Sequence, residues 1–312
     1  MVVDAFHPDL RRVARWLPRA VVSRRTLKPV RMFTGLQARI PTSDVSVNGV
    51  GPISVRMHRP ASNDRPLPAL LWVHGGGYVI GTAAMDDARC RHFAESLGIV
   101  VAAVEYRLAP EHRFPVPLHD CHDALVWLAH QPHVDPTRIA VGGASAGGGL
   151  AAAVALLARD RGEVQLAFQL LAYPMLDDRT AARADLDQSK FRLWNNAANR
   201  FGWQSYTGHP PGSVGVDGLA APSRHDGIAG LPPAWIGVGT LDLFYQEGCA
   251  YASRLRGADV ECELDIVEGA FHGFDYIRPK AAVSRAFRSS QVKALAAALT
   301  CPPFAGDDPP GQ

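Results

Sequence analysis

Three stretches of the chain carry residue types that together could perform acyl transfer. The first is Gly143-Ala144-Ser145-Ala146-Gly147, a G-x-S-x-G pentapeptide between an apolar run and an Ala-rich helical stretch. A serine at a tight strand-to-helix turn sits on a strained backbone, and flanking glycines remove side chains that would collide with the neighbouring strand and helix. Its hydroxyl then projects over the carboxyl edge of a sheet, near the positive end of the helix that starts at about residue 147. A hydroxyl is a weak nucleophile unless a base takes its proton and a third group holds that base. Asp242 lies just past the run "PAWIGVGT", and His272 follows "CELDIVEGA". His272 is also the sole histidine downstream of Asp242. The order Ser145, Asp242, His272 is the one expected behind such an elbow.

Negative charge that develops on a carbonyl oxygen needs fixed N–H donors. The stretch "WVHGGGYVIG" offers Gly75, Gly76 and Gly77 in a loop that can approach a substrate closely, with the Ala146 N–H as partner. His74, at the strand end before the glycines, reads as an anchor for the loop rather than a proton carrier. The glycines do not suit phosphate binding: no G-K-[ST] follows them, and no G-x-G-x-x-G is in register.

These residues must be positioned by elements with their own patterns. "DVSVNG" and "ISVRMHRP" alternate as an antiparallel edge pair would. "LPALLWVHGGG", "GIVVAAVEYR", residues 138–142, "AFQLLAYPM", "PAWIGVGT" and "CELDIVEG" read as strands buried on both faces. Helical patterns over 84–97, 117–131 and 147–161 separate the earlier ones, and a last helix spans 281–299. That alternation predicts a mostly parallel sheet covered on both faces. Residues 8–22 read as a basic amphipathic helix packed on its own domain, kinked or ended by Pro18. Residues 178–230 lack a strand signal and carry Phe191, Trp194, Phe201, Trp203 and Tyr206, as a lid or binding wall would.

Composition limits the partners. The 312 residues suit one large α/β domain or two small ones, and a net charge of +2 does not by itself imply a nucleic-acid surface. Nine Arg or Lys stand against two Asp in residues 1–40, which leaves the remainder slightly acidic. Five cysteines with no close pair suit a reducing cytoplasm, and the start of the chain lacks a signal-peptide pattern. No apolar run approaches the roughly eighteen residues of a membrane span. The expectation is a cytoplasmic protein with no stable membrane insertion, with homo-oligomerisation left open.

With these motifs in place, the chain over about residues 45–298 resembles the hormone-sensitive-lipase-like esterases, the α/β-hydrolase branch marked by H-G-G-G upstream of G-x-S-x-G. "EYRLAPEHRFPVPLHDCHDALVWL", "LPPAWIGVGTLD" and "EGAFHGF" also resemble that family. The resemblance implies an α/β-hydrolase fold: one domain with a mostly parallel central sheet of about eight strands, flanked by helices. It implies a small helical cap from about 1–44 and 178–230, and residues 300–312 read as a loose tail. It further implies a serine carboxylesterase with Ser145 as nucleophile, Asp242 as acid, His272 as base, and Gly75–Gly77 with Ala146 as oxyanion hole. The substrate would be a small-molecule ester of short to medium acyl chain in a pocket bounded by the cap aromatics. No cofactor and no metal is implied. The chain departs from the family's commoner forms at Ala144, where an acidic residue or Thr is usual, and in "DLFYQEG", with Leu243 and Gln246 replacing Pro and Asp.

Three competing readings are weaker. His119 and His122 share a helix face in "HDCHD", but tetrahedral zinc would need a further, distant ligand. A small-ligand receptor on this fold would be expected to have lost a triad member. Amide, peptide or thioester hydrolysis could use the same triad.

Overall fold

In a computed structural model of the chain, residues 5–37, 45–60 and 65–300 are described. The apolar runs form one eight-stranded sheet in the order β1-β2-β4-β3-β5-β6-β7-β8. Its strands are β1 (Val45–Val50), β2 (Ile53–His58), β3 (Leu67–Val73), β4 (Val100–Glu105), β5 (Val134–Ala144), β6 (Leu166–Ala172), β7 (Ala234–Gly239) and β8 (Cys262–Val267). β2 runs antiparallel to β1 and β4, and every other pairing is parallel. The expected antiparallel edge pair is therefore present.

Side chains along a strand alternate between faces, so each central strand feeds two cores. Leu71, Val73 and Val141 join one core, with Leu125 of α4 (Val116–Ala129) and Leu150 of α5 (Ala146–Arg161). Leu70, Trp72 and Ala140 join the other, with Phe93 of α3 (Asp87–Leu97) and Leu295 of α10 (Ala282–Thr300). Burial on both faces explains why the central strands read as continuous apolar runs.

Two departures from the sequence patterns have physical causes. The first helix, α1 (Pro8–Ala14), is shorter than 8–22. The ring of Pro18 would collide with the Ala14 carbonyl in a continued helix. That carbonyl instead accepts a 2.6 Å hydrogen bond from the Arg192 guanidinium. A second helix, α2 (Leu27–Gln37), follows where no element was expected. β5 begins at Val134 rather than 138, because Val134 pairs with Leu67 before a shift in register. Residues 301–312, expected as a loose tail, lie outside the described residues.

Residues 178–230 hold α6 (Arg179–Ala182), α7 (Asn196–Thr207) and a short 3₁₀ helix at Pro222–Arg224. α7 starts at Asn195, whose side chain accepts from the Ala198 N–H at 3.0 Å, and ends at the left-handed Gly208. The segment is tied to the N-terminus by Val21 N–H to Leu193 C=O at 3.2 Å and Leu193 N–H to Pro18 C=O at 2.8 Å.

The crossing of β3, β5 and α5 leaves no room for side chains at its glycines. A Cβ on Gly147 would lie 2.1 Å from the Val73 carbonyl oxygen and 2.4 Å from that of His74. A Cβ on Gly143 would lie 2.3 Å from the Gly147 carbonyl oxygen. Backbone cannot yield as a side-chain tip can. Gly147→Ala should therefore lower stability by about 3 kcal/mol in urea denaturation. Gly257→Ala, at the end of α8 (Tyr245–Gly257) with no atom within 4 Å of the added Cβ, should be neutral or stabilising by up to about 1 kcal/mol.

Candidate active site

Parallel strands present their carboxyl ends on one edge, and all the candidate residues lie in the loops that leave it. Ser145 follows β5, Asp242 follows β7, His272 follows β8, and Gly75–Gly77 follow β3, the immediate neighbour of β5.

Ser145 sits at φ 58°, ψ −123°, immediately before α5. A non-glycine residue with this φ is strained and has to be held. Its N–H donates to the Ala172 carbonyl at 2.9 Å, and its carbonyl accepts from Met175 and Gly149 at 2.9 and 3.0 Å. The elbow is thus clamped by the end of β6, the turn after it and the first turn of α5.

The sequence-predicted residues come together. His272 Nε2 lies 3.0 Å from the Ser145 hydroxyl, and Nδ1 lies 2.8 Å from Asp242 Oδ2. With Nδ1 as the donor to the carboxylate, Nε2 is the acceptor that faces the serine proton. Asp242 Oδ1 accepts from the Phe244 N–H at 2.9 Å, which fixes the carboxylate plane. All three residues are buried, and the edges of Phe244 and Tyr173 flank the His272 ring at 5.1 and 5.0 Å. The loops carrying Asp242 and His272 are joined by Leu241 N–H to Ala270 C=O at 3.0 Å and Gly269 N–H to Thr240 Oγ1 at 2.9 Å.

Of the glycine loop, Gly76 and Gly77 have positive φ, 126° and 59°. A Cβ on Gly77 would strike Trp194 at 2.0 Å, and one on Gly76 would strike the Ile80 carbonyl at 2.0 Å. Among the described residues, the N–H groups of Gly76, Gly77 and Ala146 donate to no protein acceptor. His74 is buried and stacked on Tyr106 at 4.2 Å, with Nδ1 2.8 Å from the Gly75 carbonyl oxygen. It is held as an anchor would be.

These groups open into a cavity of about 220 Å³, below the roughly 300–1,000 Å³ of drug-sized ligand pockets. Its walls include Gly75–Gly77, Ser145 and His272, with Val21, Ile80, Met85, Asp86, Tyr173, Leu193, Trp194 and Tyr276. The expectation of walls made by the aromatics of 178–230 needs correction. Trp194 alone of the five lines the cavity. Trp203 and Tyr206 are fully buried beneath it, where Tyr206 stacks on Tyr78 at 4.0 Å, and Phe191 and Phe201 pack against the core. Alternation along α7 and a large apolar area to bury draw these rings inward.

Several participants had little sequence signal. Tyr173 sits just past β6, so the strand-end argument that selects Asp242 could have found it. Asp86, in a 3₁₀ helix at Ala83–Asp86, and Tyr276, in a short helix at Phe274–Ile277, are brought together only by the fold. Glu247 is buried, with Oε2 accepting from the Leu176 and Asp177 N–H groups at 2.8 and 2.5 Å. It braces the turn whose Met175 N–H holds Ser145. The histidines of "HDCHD" are not assembled: Asp120 bonds Arg107 at 2.6 Å, and His122 lies 3.4 Å from Glu163. Among the described residues, no group of three His, Cys, Asp or Glu is arranged to hold a metal ion. Nor is any described helix long and apolar enough to cross a membrane.

Burial pushes the Glu247 carboxyl well above the ordinary range, although the two N–H donors act the other way. The folded protein then holds this proton more tightly than the unfolded chain, so stability falls as pH rises above the ordinary glutamic acid value of about 4.3. Glu247→Gln keeps an acceptor and loses the titration. The difference in stability should move in the variant's favour as pH rises from about 5 to 8, read by urea denaturation at each pH.

The chain is similar to known proteins in both sequence and structure. The model of a family described as alpha/beta hydrolase fold matches residues 70–276. The chain is 34% identical over 242 residues to an esterase, LipI, of Mycobacterium tuberculosis, covering 74% of each chain. It is 33% identical over 228 residues to an ethyl acetate hydrolase of Pseudomonas putida, covering 71% of each. A solved structure of a bacterial heroin esterase superposes with a TM-score of 0.86 at 36% identity, covering 96% of this chain and 99% of the other.

Proposed function

The chain belongs to the hormone-sensitive-lipase-like branch of the alpha/beta hydrolase fold family and is a carboxylic ester hydrolase, and we propose that it cleaves small short-chain esters through Ser145, His272 and Asp242. The observation that carries this reading is the unbroken relay from Asp242 Oδ2 through His272 to the Ser145 hydroxyl, opening into the cavity. His272 Nε2 takes the serine proton as Oγ bonds to the ester carbonyl carbon. The N–H groups of the Gly75–Gly77 loop and Ala146 meet the oxyanion. Collapse of the tetrahedral intermediate breaks the bond to the alcohol, which leaves with the proton from His272, and an acyl-Ser145 remains. A water that gives its proton to His272 then attacks the acyl carbon, and the returning proton regenerates Ser145 as the acid departs. Asp242 orients the imidazole and stabilises its charged form.

The preference for short chains is supported by the cavity volume and by the relative named as an ethyl acetate hydrolase. We assign residues up to 44 and 178–230 to a cap on the hydrolase domain. The hydrogen bonds that join Pro18 and Val21 to Leu193, with Val21, Leu193 and Trp194 on the cavity wall, support that division.

Hydrolysis of p-nitrophenyl esters of increasing acyl length tests the reading. Turnover should be highest on acetyl to butyryl esters and fall steeply for decanoyl. Ser145→Ala should lower kcat by about 10⁴-fold or more and abolish labelling by a fluorophosphonate. Asp242→Asn should cost about 10⁴-fold, through the wrong imidazole tautomer. Normal turnover by Ser145→Ala would overturn the assignment.

A further inference from the structure

Asp86 lies on the cavity wall and is nearly fully buried, yet it forms no ion pair among the described residues. Both of its oxygens accept hydrogen bonds from neutral donors. Oδ2 takes the Trp72 indole N–H at 2.7 Å, and Oδ1 takes the Tyr276 hydroxyl. With both oxygens accepting, the group is placed as a carboxylate.

The nearby Arg89 guanidinium forms no hydrogen bond with it and shares its charge with a second carboxylate. Arg89 gives one nitrogen to Asp275 at 2.5 Å, and its Nε and other terminal nitrogen donate to no acceptor. Its plane covers the rings of Trp72 and Tyr276, at 5.4 and 4.2 Å from their centroids. Asp275 accepts a second hydrogen bond from the Tyr173 hydroxyl at 2.8 Å. Two carboxylates therefore flank one guanidinium, and the one without an ion pair lies on the cavity wall. A buried charge of this kind is costly unless something of opposite sign meets it.

The cavity provides the setting for that charge to be met from inside. Tyr173 and Trp194 share its wall with Asp86, and aromatic rings attract cations. Met85 and Tyr276, exposed members of the lining, adjoin Asp86 in chain and in hydrogen bonding, which puts it near the open side of the cavity. We propose that Asp86, backed by these rings, selects esters whose alcohol carries an ammonium group.

This proposal rests on the esterase reading above and deepens it by naming the substrate class. Acetylcholine and its uncharged isostere neohexyl acetate form the test pair. Their kcat/KM values are divided by the alkaline hydrolysis rates of the two esters, which removes the difference in leaving-group reactivity. The wild type should favour acetylcholine by about tenfold or more, and the ratio should shrink as salt is added. Asp86→Asn should bring the ratio to about one, whatever the absolute rate on neohexyl acetate. Tetramethylammonium should inhibit neohexyl acetate hydrolysis by the wild type competitively, which keeps the proposal testable should the variant fail to fold. Hydrolysis of neohexyl acetate with a wild-type ratio at or below one, or a ratio unchanged in Asp86→Asn, overturns the role of Asp86 and leaves the esterase reading intact. Hydrolysis of neither ester, nor of any p-nitrophenyl ester, removes both.

Discussion

The backbone conformation of Ser145 is the constraint from which the site follows. A positive φ at a residue with a Cβ costs about 1–3 kcal/mol, and it persists only where surroundings over-determine it. Here they do. The Ser145 N–H and carbonyl are both engaged, and the glycines on either side pack against backbone with no space for a methyl group. The strand before and the helix after must therefore approach more closely than side chains would permit. That approach aims the hydroxyl out of the sheet instead of into a core.

The other loops are arranged by the same edge. β3, β5, β7 and β8 run parallel, so their carboxyl ends lie together, and backbone hydrogen bonds fix how each loop leaves. Gly239 presses on the Ala270 carbonyl, where a Cβ would lie 2.2 Å away, so the Asp242 and His272 loops move as one. Gly77 presses on Trp194 in the same manner and ties the glycine loop to the segment above it. Close contacts between backbones or between backbone and a ring, rather than long side chains, hold the geometry. Such contacts tolerate little motion, which is what a hydrogen-bond relay requires.

Polar groups in this interior fall into two kinds. Glu247 faces backbone N–H groups and holds a turn, so its effect is on position. Asp86 lies on the cavity wall and takes its two hydrogen bonds from neutral donors. A buried carboxyl group thus serves architecture or recognition according to where it lies.

The alternation of apolar runs with helical patterns already contained the sheet and its parallel sense, because burial on both faces writes itself as continuous hydrophobicity. The pentapeptide around Ser145, the glycines at 75–77, and the positions of Asp242 and His272 past strand ends were readable for a related reason. Backbone strain and strand topology restrict residue type locally. The end of α1 was readable at Pro18, while α2 was not, because Pro29 and Gly35 interrupt a helical pattern that is otherwise amphipathic. The tertiary structure alone decided which aromatics of residues 178–230 reach the cavity, because their inward packing depends on a partner surface supplied by Tyr78 and Phe114. It alone brought Asp86, Arg89, Asp275 and Tyr276 together from segments nearly two hundred residues apart. Local sequence encodes what a short backbone must do; the electrostatics of a pocket arises from groups that become neighbours only when the chain has folded.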